Sequence, residues 1–499
     1  MNKEWDDALS GINDEHIHEA ARQKYRFPWL RSIAAVLAVT ICWGALGHEF
    51  QDAPIPTDPI LQATTSTPTD SGNDGIVITS PSEPVNPGPT TDTSTIPPTD
   101  STAPPAGPVL VPLSGLAAAP VYPEKATYAD SLWDIYTGLN SFFDASIQEF
   151  LSGEGNRAYS PLNVYMALSM LAETCDGNSR RQILDLLGAS TIEELRSQTG
   201  DIWNAHFENS MRDKLLLSNS LWLDNKYLFD PNTVQTLADD YYASVYAGDL
   251  GSDEMNQALR RWLDLQTDGQ LMDHNQNFEL HPNSVFALAS TIYYKANWSE
   301  SFNKDRTADG IFHSTQGDVT VPFMKSSIGA SYYWGTDYTA VSLHLTDSGD
   351  LWLILPDEGK TTDDLLESGE FLSTVLPTEM IENSSYPLVH LSMPKFDISA
   401  NSDLIEGMKN LGVTDIFSDD TADMSNLTDG PLYVDKIDHT VRVAVDEDGI
   451  LGTAQTIVDV PNYGMPPDDE VDFVLDRPFL FMITSWKHYP LFAGVVEQP

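Results

Sequence analysis

The stretch VAVDEDGILGTAQTIVDVPNYGMPPDDEVDFVLDRPF, Val443 to Phe479, opens as a strand, passes through small and hydroxylated residues, and reaches a proline-rich loop before a second apolar run. Read with period two after Gly449, one face carries Ile450, Gly452, Ala454, Thr456 and Val458 and the other Leu451, Thr453, Gln455, Ile457 and Asp459. The first face is compact and uncharged. It suits entry between two existing strands, whereas a loop built to stay in water carries more charge and more turn residues. An ordinary hairpin arm reads the same way on this stretch alone, so the rest of the chain decides.

With 499 residues and 41% hydrophobic content, the chain is long enough for two or three domains and apolar enough for a sizeable core. Its 26 basic and 74 acidic residues give a formal charge of -48, which repels a phosphate backbone, so nucleic acid is not an expected partner. The two cysteines, Cys42 and Cys175, are too far apart in sequence and setting to suggest a disulfide framework or a cysteine metal site. No metal or cofactor is expected.

Four segments follow from composition. Residues 1–26 place Trp5, Leu9, Ile12 and Ile17 at roughly helical spacing and end in Arg22, Lys24 and Arg26, a short amphipathic cytoplasmic segment. Its His16 and His18 have no third ligand nearby and read as a solvated face. Residues 27–47, FPWLRSIAAVLAVTICWGALG, approach the roughly 20 residues a membrane-crossing helix needs, with Arg31 near one end where it can snorkel. Every basic residue before Lys125 lies on or before this segment, which predicts a single-pass anchor at the cell membrane with the bulk of the chain outside. A secreted protein after signal cleavage is the alternative, since Ala45 and Gly47 have the small side chains a peptidase prefers. Residues 48–125 are rich in Pro, Thr and Ser, lack apolar periodicity and predict a disordered linker, reaching roughly 50 Å as a random coil.

Residues 126–499 turn aromatic and apolar and predict one large α+β domain. Helical spacing comes first, in LNVYMALSMLAETCDGNSRRQILDLLG, with Gly177 and Asn178 as the break. Strand-like runs follow in LLLSNSLWL, SVFALASTIYYKANW, LWLILP, PLVHLSMPKF and TVRVAV.

The order of these pieces resembles the serpin family from about Thr127 to Pro499. The resemblance is carried by YSPLNVYMALSML, NSLWLDNKYLFDPNTVQTLADDYYASV, ALRRWLDLQTDGQLMD, STIYYKANWSESFNKDRT, the run from MPKF to MSNL, DHTVRVAVDEDG, and the closing DRPFLFMITSWKHYPLFAGVV. It implies helices packed around a large mixed main sheet with smaller sheets and an exposed reactive loop. It further implies a monomeric suicide-substrate inhibitor of extracellular serine proteases, which is not itself an enzyme: the target attacks a loop bond, and the freed arm inserts as a strand. The alternative is a non-inhibitory serpin acting as a tethered binding module. An arm of about 14 residues spans roughly 46 Å, enough to carry a bound protease far from where it docked.

By this resemblance Glu447, Asp448 and Gly449 begin the hinge, which continues through Ile450, Gly452, Thr453, Ala454 and Thr456. Ile450, Leu451 and Gln455 depart from the small residues usual there, and Ile450 is expected to overpack its site by about 1–3 kcal/mol. Ser160, Trp298 and His439 match family positions where the sheet opens, and Ser290 stands where the family usually has an asparagine. Counting forward from Gly449 by the spacing common in the family puts the reactive bond at Tyr463-Gly464; counting back from Pro478 puts it between Gly464 and Pro467, where Pro466 and Pro467 fit an extended cleft poorly. Tyr463 suits a chymotrypsin-like or subtilisin-like target, with Met465 as the alternative anchor for an elastase-like one.

Enzymatic readings are thin. SFNK at 301–304 and SMPK at 392–395 match Ser-x-x-Lys without the Ser-Asp-Asn and Lys-Thr-Gly elements that accompany it in penicillin-binding enzymes. DEDG at 446–449 resembles a calcium loop, but Ala444 and Gln455 occupy its first and last ligand positions.

Overall fold

The computed structural model describes residues 36–46, 111–112, 115–120, 122, 132–209, 214–267, 278–346, 349–377, 381–450 and 469–499. Its main sheet contains nine strands among these residues. Seven lie side by side in the order β6 (Phe396–Asp403), β7 (Leu432–Val445), β1 (Val36–Leu46), β5 (Ser284–Asn297), β3 (Lys214–Asp224), β4 (Ala243–Gly248) and β2 (Gly115–Ala118). A two-residue strand, β8 (Gly449–Ile450), pairs at one end with both β7 and β5. Only β3 and β4 run parallel among the paired neighbours, so the sheet is mixed.

The central strands are apolar on both faces because both are covered. Within β5, residues from Ser284 to Tyr294 are all buried, and β3 is buried from Leu215 to Asp224. Helix α2 (Pro161–Thr174), which follows α1 (Leu132–Phe150), lies against the sheet and is buried along its whole length. Its mostly apolar and small residues fit a helix enclosed on every side, and its buried Asn163 and Glu173 have hydrogen-bond partners. Pro161 starts α2 where its missing N–H costs nothing. The next helix, α3 (Gly177–Leu187), begins after Cys175 and Asp176, so the break falls just before Gly177 rather than at Gly177 and Asn178. Gly177 itself has φ +56°.

Two larger sheets and a two-stranded pair accompany it among the described residues. One joins 308–314, 317–329, 388–394 and 470–474. The other runs 384–385, 331–334, 338–345, 349–356, 479–485, 490–496 and 157–159. Ile450 pairs in the main sheet and Glu470 in the first of these two sheets, so residues 451–469 connect separate sheets.

The sequence expectation changes most in the amino-terminal part. A membrane-crossing helix is expected over 27–47, yet residues 36–46 form β1, paired antiparallel to β7 on one side and β5 on the other. An apolar run of this kind satisfies a doubly covered central strand as well as a bilayer, and Val36, Val39, Thr40 and Ile41 are β-branched. Among the described residues no helix is long and apolar enough to cross a membrane. The linker expected over 48–125 also ends earlier, because 111–112 pair with 228–229 and β2 forms the edge of the main sheet. The amphipathic segment expected over 1–26 and the linker from 48 to 110 lie outside the described residues.

Candidate functional site

The hinge is built from an aspartate turn. The Asp446 carboxylate accepts from the backbone N–H of Asp448 at 2.9 Å and of Gly449 at 3.3 Å, which reverses the chain directly after β7. Gly449 has φ +143°, and a Cβ there would sit 2.3 Å from the Ala296 carbonyl oxygen, so only glycine fits. Ile450 then pairs with Val445 and Ala296 and is fully buried.

Side chains from elsewhere fix this turn. The Trp298 indole N–H donates to the Asp446 carbonyl oxygen at 2.8 Å, and its ring meets Phe302 edge-on at 5.6 Å. Glu447 is buried, and burial alone would raise its carboxyl. The Lys395 ammonium at 2.5 Å and the Thr307 hydroxyl at 2.7 Å outweigh that and hold it below the usual glutamate range. Lys304 pairs with Asp448 at 2.7 Å. Lys304 and Lys395 are the lysines of the two Ser-x-x-Lys tetrapeptides; their chemistry here is to hold the hinge carboxylates.

A second cluster lies farther down the sheet. The Ser160 N–H donates to His439 Nε2 at 3.1 Å, and its hydroxyl donates to the Leu491 carbonyl at 2.6 Å instead of capping α2. The Tyr159 ring stands edge-on to His439 at 5.4 Å. Burial drives the His439 imidazole down to about 3, so it is neutral at physiological pH and acts as an acceptor. Asn163 of α2 donates to the Ser290 carbonyl at 3.2 Å on the other side of the slot.

The structure therefore brings Ser160 and His439 together and ties Ser290 to the same helix. It places Trp298 with the hinge residues Glu447, Asp448 and Gly449. Sequence reasoning missed Lys304, Lys395, Thr307, Tyr159 and Asn163, whose partners lie at least 52 residues away in the chain; only the two lysines carried a signal, and it pointed to other chemistry. Gly452, Thr453, Ala454, Thr456 and the expected reactive bond Tyr463-Gly464 lie outside the described residues. Among the described residues no group of His, Cys, Asp and Glu has the arrangement of a metal site.

The sequence profile described as Serpin (serine protease inhibitor) matches residues 140–499. Serpin-ZX of Arabidopsis thaliana is 27% identical over 379 residues, covering 70% of this chain and 93% of its own. An alpha-1-antiproteinase of Callosciurus caniceps is 28% identical over 366 residues, covering 70% and 84% respectively. The crystal structure of tengpin, a thermophilic serpin, in its native state superposes with a TM-score of 0.65 at 25% identity, covering 77% of this chain and 97% of that one. The doubly paired slot, the glycine-turned hinge at its head and these likenesses agree: the chain belongs to the serpin family.

Proposed function

We propose that this serpin is a suicide-substrate inhibitor of extracellular serine proteases, cleaved at Tyr463-Gly464. The observation that carries the reading is β8: Gly449 and Ile450 are already paired with β5 and β7 at the head of the slot, a pairing that the arm can extend once residues 36–46 have left the partners beyond it. Each residue that enters exchanges water for backbone partners on both sides and buries alternate side chains. The target's serine attacks the Tyr463 carbonyl and forms an acyl bond as the Gly464 amine leaves. Insertion then carries the acylated protease away before water hydrolyses the ester. The serpin supplies the bond, the arm and the sheet, and performs no catalysis itself.

Tyr463 before a permissive glycine favours a chymotrypsin-like or subtilisin-like target, with Met465 offering an elastase-like one a second anchor. On this reading the protein acts outside the cell, in keeping with the basic residues before Lys125, all of which lie on or before the apolar segment. Anchoring through 27–47 and pairing of 36–46 in the sheet exclude each other, so a given molecule does one or the other. Protease added to intact cells releases the domain if it is anchored; a soluble domain starting near His48 points to signal cleavage.

A non-inhibitory binding module is the second reading, favoured by β1 standing in the slot. Mixing the chain with a panel of serine proteases separates the two. A covalent complex that survives denaturation supports inhibition, and clean loop cleavage with no complex from any of them supports the binding module.

A further inference from the structure

Strand β1 and the hinge use one slot in one direction. β8 runs antiparallel to β7 and β5, with Ile450 opposite Val445 and Ala296. β1 runs antiparallel to the same two strands and begins two steps farther along, with Val36 opposite Tyr294 and Leu37 opposite Arg442. Extending the hinge register places Gly452 opposite Val443 and Tyr294, and Thr456 opposite His439 and Ser290. Thr40 already pairs with His439 on one side and Ser290 on the other. The two segments therefore claim the same backbone partners residue for residue.

Their sequences agree at those places. Ala38-Val39-Thr40-Ile41 holds the register into which Ala454-Gln455-Thr456-Ile457 would move, with Ala, Thr and Ile the same in both. The match falls in the rows of the ladder that hold His439 and Ser290. Ser284, the partner of Ala45 near the far end of β1, is where the extended register brings Asn462, the residue before the expected cleavage site.

We propose that residues 36–46 are a built-in occupant of the insertion slot, an internal mimic of the hinge that must leave before the reactive loop can enter beyond Ile450. While β1 is seated, backbone partners on both edges of the slot are taken, and a cleaved loop has no ladder to extend. Seating and release of β1 then set how the protein divides attacking protease between trapped complex and spent substrate. The occupancy stands on pairing and register alone; its regulatory consequence rests on the insertion reading above.

Hydrogen exchange and cross-linking on the full chain test the occupancy without reference to any protease. Amides of 36–46 are expected to exchange as slowly as those of β5. Cys42 pairs in register with Ile437, so in an Ile437→Cys variant mild oxidation with diamide is expected to join Cys42 to the introduced thiol; the chain's other cysteine, Cys175, is buried. Rapid exchange across 36–46 with no such cross-link overturns the proposal. For the consequence, Val39→Pro with Ile41→Pro removes two ladder donors from β1 without touching the hinge. The fraction of chain trapped as complex is expected to rise several-fold over the unmodified chain. An equal fraction in both shows that β1 does not gate insertion. If neither chain forms complex while exchange and cross-link behave as expected, the inhibitory reading fails and the occupancy stands.

Discussion

Gly449 illustrates how one residue can decide whether a hinge forms. Any side chain there meets the Ala296 carbonyl and a backbone conformation unsuited to L residues, so Gly449→Ala is expected to cost about 1–3 kcal/mol and unseat Ile450. A denaturant melt measures the first, and hydrogen exchange at Ile450 the second. Lys395→Met leaves the buried Glu447 carboxylate with Thr307 alone, an expected loss of about 3 kcal/mol, checked by urea unfolding at neutral pH and diminished where Glu447 is protonated. The buried histidines make the fold acid-sensitive. Burial lowers His439 to about 3 and His206 to about 4, whereas both return to about 6.5 when unfolded. Unfolded chain therefore binds the extra protons. Stability is intact above pH 6.5 and falls as pH drops toward 4, by about 1.4 kcal/mol per pH unit for each fully linked histidine. His439→Gln is expected to make that slope shallower by one proton, measured by melts from pH 7 to pH 4.

At the level of elements, the reading from sequence succeeded where the pattern was local and slipped where a partner was distant. Strands such as LWLILP and the buried helix α2 were legible because their own composition demands cover on both sides. TVRVAV marked only the second half of β7, since LYVDKIDH mixes charge into its alternation and takes its place through pairing with β6 and β1. Residues 36–46 pair as a strand where a membrane-crossing helix is expected, and the ambiguity is physical: hydropathy reports that a segment avoids water, not whether lipid or protein covers it. The candidate site divides the same way. The hinge glycine, Trp298, His439 and Ser160 were legible through a pattern of spaced motifs, while Lys304, Lys395, Thr307 and Asn163 depend on contacts that no local window contains. An element-scale consequence follows for loop cleavage. With β1 seated, nicking near Tyr463 is expected to raise the melting temperature little; with Val39→Pro and Ile41→Pro the same nick raises it markedly, because the arm then gains the vacated ladder.

At the scale of the whole molecule, β7 and β5 pair with residues 36–46 and, at one end, with Gly449 and Ile450. On the proposed function, the target protease supplies the chemistry, and selectivity lies in which bond between Ile450 and Asp469 it accepts. Tyr463→Ala is expected to reduce trapping by chymotrypsin at least ten-fold, since an aromatic side chain in an apolar slot contributes on the order of 2 kcal/mol or more to acylation. Comparing second-order trapping rates for the two chains checks it. The most direct measurement on the central claim is mass spectrometry of the peptide released when the chain traps chymotrypsin. The predicted result is a denaturation-resistant complex together with a carboxy-terminal fragment beginning at Gly464. Complete cleavage of the loop with no complex, in the unmodified chain and in the Val39→Pro, Ile41→Pro chain alike, would contradict inhibition by loop insertion.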